Sequence, residues 1–335
     1  MDIPNDTTHS VFVDAIRGIV HLMDDPSISE IMVNRPDEVW VKQGGAMHRV
    51  DSGMDEVRLR TAIQSLARIE NKDVAESSAN SILDARIGSY RVACVLRPTA
   101  VDGHAMCIRK HTSSSLTLDD YRSNGFFDPF EDAERTVELG EDRGEFLRKI
   151  VRGRKNILVA GGTDSGKTTL LNALIAEIPD TERVISIEDT VELHVRAPNK
   201  VRLLANKQSG IEMRDLVRLS LRMRPDRIVV GEVRGSEAYD LLQAFNTGHD
   251  GGFATIHASN ARLALMRLES LVMQEESARM GHEAIAMQIA STLNYVVHLK
   301  TVGGLRRLSE LVEIAGFENG KYVLRDLLKE NRNEN

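Results

Sequence analysis

Residues 156–178 read NILVAGGTDSGKTTLLNALIAEI. An uncharged, strand-like run passes through a glycine turn straight into a helix-forming run. A strand without a polar face has to be covered on both sides, and a helix that follows it at once folds back over one of them. Strand–helix units of this kind build a parallel sheet. The pattern repeats downstream. RVISIED, RIVVGE and FATIHA are short apolar runs, while MRDLVRLSLRM, stopping before Pro225, and SEAYDLLQAFNTG, ended by Gly248, read as helices between them. NYVVHLKTVGGLRRLSELVEIAGFENGKYVL departs from the pattern and reads as consecutive hairpins, an antiparallel extension that closes the domain. The expected fold class is α/β, with a mostly parallel sheet in the C-terminal part.

The first half is different. VFVDAIRGIVHLM carries Val13, Ile16, Ile19 and Val20 at helical spacing, and DEVRLRTAIQSLARIE is a second amphipathic helix. SEIMVN and EVWVKQGGAMHRV alternate like strands, with Gly44-Gly45 as a hairpin turn, and ARIGSYRVACVLRP and HAMCIRKH flank a turn near TAVDG. This predicts a smaller N-terminal α+β domain over 1–110, a linker or hinge over 111–140 with a helical turn or two, and the strand–helix domain over 141–335. A chain of 335 residues with 41% hydrophobic content is long enough for two cores. No stretch approaches the roughly 18 apolar residues of a membrane span, and the acidic, then amphipathic N-terminus does not read as a secretory signal. A cytoplasmic protein is expected. Its two cysteines, Cys94 and Cys107, are too few for a tetracysteine zinc site and read as buried thiols. A formal charge of −7 and 4% aromatic content argue against a broad or aromatic-lined nucleic-acid surface.

The glycine turn carries the chemistry. Gly161, Gly162, Thr163, Asp164, Ser165, Gly166, Lys167, Thr168 and Thr169 contain the spacing G-x-x-x-x-G-K-[ST] between a strand and a helix. In that setting backbone N–H groups converge on phosphate, the helix N-terminus adds partial positive charge, the lysine reaches the outer phosphates and the threonine hydroxyl ligates Mg²⁺. ATP and Mg²⁺ are the expected ligands. Asp164 puts a carboxylate beside a polyanion. Heterotrimeric G-protein α subunits are similar here, with glutamate in GAGESGKS, so Asp164 is expected to tune the site rather than abolish it. Glu232, at the end of RIVVGE, is placed to orient or deprotonate water, or to hold the metal through water. Glu188 and Asp189 end RVISIED and suit metal and water organisation, although a helix cap or a solvated turn is the alternative. His257 ends FATIHA, where it could sense the γ-phosphate or simply be packed.

GGTDSGKTT, VISIEDTVEL and LRMRPDRIVVGEVRGSEAYDLLQAFNTGHDGGFATIHASNA together resemble the secretion-superfamily traffic ATPases, the ring motors of type IV secretion, type II secretion and type IV pili. DDPSISEIMVNRPDEVWV is similar to the N-terminal domain of the conjugative type IV secretion branch. The resemblance implies a RecA-like P-loop ATPase domain behind a PAS-like N-terminal domain. It implies nucleotide binding by Lys167 and Thr168, a Walker B glutamate at Glu232 and an Asp box at Glu188 and Asp189. It also implies a His box at His249 and His257, and an arginine at Arg234. Arg91 in YRVA and Arg109 in CIRK match the arginines brought onto phosphate, with a solvated strand face as the alternative. It further implies a homo-oligomer, a hexamer, docked peripherally on inner-membrane secretion components, with no direct sequence-specific nucleic-acid binding. The activity implied is Mg-dependent ATP hydrolysis powering type IV secretion, conjugal DNA transfer or conjugative pilus assembly. A pilus assembly or retraction ATPase and a nucleotide-gated scaffold slowed by Asp164 are the alternatives.

Overall fold

The computed structural model describes residues 7–76, 80–110, 116–128, 142–206, 210–275 and 280–328. The chain divides into two compact units, Met1–Ser114 and Ser115–Asn335.

In the first unit, helices α1 (Thr7–Ala15) and α2 (Arg17–Asp24) precede strands β1 (Ile28–Arg35), β2 (Glu38–Gln43) and β3 (Ala46–Val50). Helix α3 (Glu56–Ile69) follows, then β4 (Ile82–Ile87), β5 (Tyr90–Val95) and β6 (Ala105–Lys110). The strands form one antiparallel sheet in the order β3-β2-β1-β6-β5-β4. Gln43 pairs with Ala46 across Gly44 and Gly45, both at positive φ, so β2 and β3 are joined by the two-residue turn the glycines predicted. The 11–23 run is not one helix: it breaks at Ile16, and its buried stripe is Phe12, Ile16, Ile19 and Leu22, with Val13 and Val20 only partly covered. A side chain at Gly18 would meet the Ser52 carbonyl at 2.1 Å, and that close approach fixes where α2 lies. The stripe packs with Leu59, Ile63 and Leu66 of α3 on Ile31, Val41, Val92 and Ile108. Cys94 is buried there, its thiol pushed up chiefly by burial; Cys107 is only half-buried.

The second unit begins with α4 (Leu118–Ser123), α5 (Arg143–Arg152), β7 (Ile157–Gly161), α6 (Lys167–Ile175), β8 (Val184–Glu188) and β9 (Lys200–Leu204). It continues with α7 (Met213–Leu221), β10 (Arg227–Val230), α8 (Glu237–Asn246), β11 (Phe253–His257), α9 (Ala261–Val272) and α10 (His282–Thr292). It ends in β12 (Tyr295–Val302), β13 (Leu305–Glu318) and β14 (Lys321–Asp326). The sheet order is β14-β13-β12-β7-β11-β10-β8-β9, parallel from β12 to β9 and antiparallel through the β12-β13-β14 hairpins. The α/β class, the parallel sheet and the antiparallel extension are as the sequence predicts. Along β7, Ile157 and Val159 enter a core with Leu147 of α5 and Leu170 and Leu174 of α6. Leu158 and Ala160 enter the opposite core with Leu241, Leu265 and Ile289 of α8, α9 and α10. Both faces are covered, which is why the strand tolerates no polar residue.

Of the stretch 111–140, residues 111–115 and 129–140 lie outside the described residues. The part between them forms α4 and packs Tyr121, Phe126 and Phe127 into the second unit's core. Strand β9 is not among the sequence expectations. It is a sheet edge on which exposed Lys200, Arg202 and Leu204 alternate with half-buried residues, so its apolar signal is weak.

Candidate active site

The parallel strands bring their C-terminal ends to one edge. Gly161 of β7 lies opposite His257 of β11, and Val230 of β10 lies beside Ile187 of β8 and Ala254 of β11. The segments leaving these ends form the site.

Gly161 has no room for a side chain: a Cβ would stand 2.5 Å from Ser165 Oγ and 2.7 Å from the Leu299 carbonyl. Gly166, at φ +93°, is the N-cap of α6 and supplies no side-chain cap, so the first amides of that helix are left to an external acceptor. Asp164 stands at φ +59°, the left-handed region that aspartate tolerates better than most residues. Lys167 is buried, and its Nζ donates to the Gly162 carbonyl at 2.8 Å; Ser165 Oγ donates to the same carbonyl at 2.8 Å. Burial pushes the Lys167 amine down, while Glu232 and Asp164 hold it up against that. Thr168 Oγ1 has no hydrogen-bond partner among the described residues and is half-buried beside the loop. An uncapped helix start, a buried lysine and an uncommitted threonine hydroxyl fit a nucleoside triphosphate and its metal. Thr163 and Gly162 are exposed on the loop, and Thr169 is half-buried behind it.

Glu232 lies just past β10. His257 Nε2 is 3.1 Å from its Oε1, and Arg234 Nη2 is 2.7 Å from its Oε2. Arg234 Nη1 reaches Asp189 Oδ2 at 2.7 Å, so one guanidinium ties the ends of β8 and β10 together. Burial pulls the Glu232 carboxyl upward, but Arg234, His257 and Lys167 outweigh it and leave it below the ordinary carboxylate range. His257 is pushed down by burial and by Lys167, against the pull of Glu232. A cavity of about 400 Å³ opens on this group, lined by Glu232, Val233, Arg234, Ile256, His257 and Arg267.

Glu188 is only 2% exposed, and its Oε1 accepts from the Glu192 and Leu193 amides at 2.6 and 2.7 Å. Burial raises its carboxyl and those two amides lower it. One of its oxygens is thus committed to holding the turn after β8. His249 is not brought to this edge. It sits between α8 and β11, Nδ1 3.2 Å from the Ala244 carbonyl, at the opposite end of the five-residue β11 from His257. The strand alone separates them by about 13 Å.

Arg91 and Arg109 belong to the first unit. Strand register sets them directly opposite each other on β5 and β6; Arg91 pairs with Asp84 and Arg109 with Glu30, each at 3.1 Å. Three further residues shape the site without having been singled out in the sequence. Buried Glu237 accepts from the Arg234 and Gly235 amides at 2.6 and 2.8 Å and so fixes the loop that carries Arg234. Its position three residues after Arg234, at the start of a helix, is the signal that could have found it. His298 bridges the Ala258 carbonyl and Ser309 Oγ at 3.2 and 2.5 Å. Arg306 Nε donates to the Asp164 carbonyl at 3.1 Å. No local pattern marks either of these last two.

A family model described as type II/IV secretion system protein matches residues 14–306. The conjugal transfer protein TrbB of Rhizobium radiobacter is 33% identical over 304 residues, covering 90% of this chain and 88% of that protein. The type IV secretion system protein VirB11 of Brucella suis biovar 1 is 33% identical over 298 residues, covering 83% and 82%. Among solved structures, the VirB11 ATPase from the Brucella suis type IV secretion system, in complex with sulphate, aligns with a TM-score of 0.50 at 32% identity. It covers 91% of this chain and 94% of that one.

Proposed function

The chain belongs to the type II/IV secretion system protein family, and from that membership we propose that it hydrolyses ATP as a motor of a type IV secretion or conjugal transfer system. It is an ATPase of the P-loop type, and nucleotide binding follows from the family. The observation that carries the reading is the convergence on one sheet edge of the 161–168 loop after β7, Glu232 and Arg234 after β10, and His257 at the end of β11.

Each side chain has a task set by its surroundings. Lys167, drawn to the Gly162 carbonyl in the structure, exchanges that acceptor for the outer phosphates, which bind a charged amine more strongly than a neutral carbonyl does. Glu232 is ionised and positioned to orient the attacking water, and its partners Arg234 and His257 hold it in place. For Glu232 to take a proton, Arg234 has to release it. Asp189, already bonded to Nη1, keeps the guanidinium at the site while Nη2 turns from Glu232 to the γ-phosphate. Mg²⁺ would be held by Thr168, with Glu232 and Glu188 through water, and would neutralise charge on the outer phosphates. Arg91 and Arg109 are proposed to neutralise charge on the phosphoryl group, a role their side-by-side placement suits. Assembly into a ring, docking on inner-membrane components and a cytoplasmic location are proposals that rest on family membership. Among the described residues no helix is long and apolar enough to cross a membrane.

The test is Mg²⁺-dependent ATP turnover of the full chain across protein concentration, with Lys167→Ala and Glu232→Gln alongside. Turnover in the parent, loss of both binding and turnover in Lys167→Ala, and loss of turnover with retained ATP binding in Glu232→Gln are expected. A parent no faster than Lys167→Ala sinks the motor reading and leaves a nucleotide-binding scaffold.

A further inference from the structure

Strand β12 does not end where its neighbour β7 ends. Leu299 pairs with Gly161, the last residue of β7, and Lys300, Thr301 and Val302 carry β12 past it, about 10 Å beyond the sheet edge at roughly 3.3 Å per residue. Gly303 and Gly304, at φ +57° and +80°, reverse the chain, and β13 returns alongside with Arg306 opposite Thr301. The hairpin tip therefore stands over the 161–168 loop. Arg306 lies on that loop: its Nε donates to the Asp164 carbonyl at 3.1 Å, and its Cδ would be 3.0 Å from a Cβ on Gly166. Its two terminal amino groups have no hydrogen-bond acceptor among the described residues, and the side chain is exposed. A guanidinium is a fixed fork, so a hydrogen bond at Nε aims the remaining donors. Here it aims them beside a loop that has the form of a polyphosphate cradle.

We propose that Arg306 is a further nucleotide-binding residue, anchored on the Asp164 carbonyl through Nε and contacting the polyphosphate of the bound nucleotide through its terminal amino groups. This deepens the ATPase reading and rests on it. The same side chain offsets the negative field that Asp164 adds to the loop, and so accounts for how a cradle with a carboxylate in it can still accept a polyanion.

ATP turnover and ADP affinity of the full chain test this in the parent, Arg306→Ala and Arg306→Lys, with melting in the absence of nucleotide as the check on folding. Arg306→Ala is expected to melt like the parent but to raise KM for ATP and Kd for ADP about tenfold or more, the worth of a charge-assisted hydrogen bond. The fall in kcat is expected to be smaller. Arg306→Lys, which keeps the charge and loses the fork, should lie between them. The proposal is overturned if Arg306→Ala binds and turns over nucleotide as the parent does. It is equally overturned if Arg306→Ala and Arg306→Lys lose affinity to the same extent and both melt early, the mark of a residue that only braces the loop. A parent that binds no ADP defeats the ATPase reading itself, and is distinguished because the failure is then not confined to the variants.

Discussion

Replacing Asp164 by asparagine isolates one quantity, the electrostatic cost of a carboxylate in the phosphate loop. Asparagine keeps the size of aspartate and its tolerance of the left-handed backbone, so φ +59° is retained without new strain. Asp164→Gly would change backbone freedom as well as charge and so mixes two effects. The Asp164 carboxylate is close enough to hold up the Lys167 amine, so its field reaches the site. At about 7 Å in water a pair of unit charges interacts by roughly 0.6 kcal/mol, and a magnesium-bound triphosphate carries roughly two net negative charges, giving about 1.2 kcal/mol unscreened. Screening leaves most of this at about 0.01 M salt, under half near 0.15 M and about a tenth at 1 M. Asp164→Asn should therefore lower KM for ATP about fivefold at the lowest salt and about twofold at physiological salt, with no effect at high salt. The assay is steady-state turnover at constant free Mg²⁺ across that salt series, with kcat followed separately. A KM that does not move at low salt, or a change that persists undiminished at 1 M, would refute the reasoning, because neither is the behaviour of a charge acting through solvent.

Arg234→Gln removes the strongest partner of Glu232 while leaving the carboxyl half-buried, so its depressed pKa should rise. The ionised form, and with it the acid limb of kcat/KM, should be lost at higher pH than in the parent; superimposable profiles would exclude Glu232 as the titrating group. In the parent the sign for stability follows from the same depression: the contribution of Glu232 is present above pH 4.5 and is lost as pH falls through its folded value. Glu182→Gln tests the base of the sheet, where Arg227, wholly buried, pairs with Glu182 and donates to the Gly251 and Val151 carbonyls at 3.1 and 2.9 Å. Leaving that guanidinium without its counter-ion should cost about 3 kcal/mol, a fall in Tm of about 6–12 °C for a unit of this size, read by calorimetry. A drop of under 2 °C would show that water and the Gly251 and Val151 carbonyls suffice to hold the guanidinium.

Much of the molecule was legible before any fold was known, because the signals were local. The apolar run at 157–161, the glycines after it and the lysine at the helix start act within a few residues of one another, so spacing alone located the loop and its helix. Glu232 was legible for the same reason, as an acid just beyond a strand too apolar to lie anywhere but inside a sheet. The two-glycine hairpin at 44–45 was read from its turn chemistry alone. What remained depended on which strand lies beside which. That β12 pairs with β7, nearly 140 positions earlier, is a choice made by packing on both sheet faces, and only that pairing puts Arg306 on the Asp164 carbonyl. Tertiary structure also gave Glu188 two backbone amides to hold, joined Asp189 and Glu232 through one guanidinium, and set His249 at the opposite end of β11 from His257. Sequence periodicity says which face of an element is buried; it carries no information on the partner across the sheet, because hydrogen-bond register is settled between segments far apart in the chain.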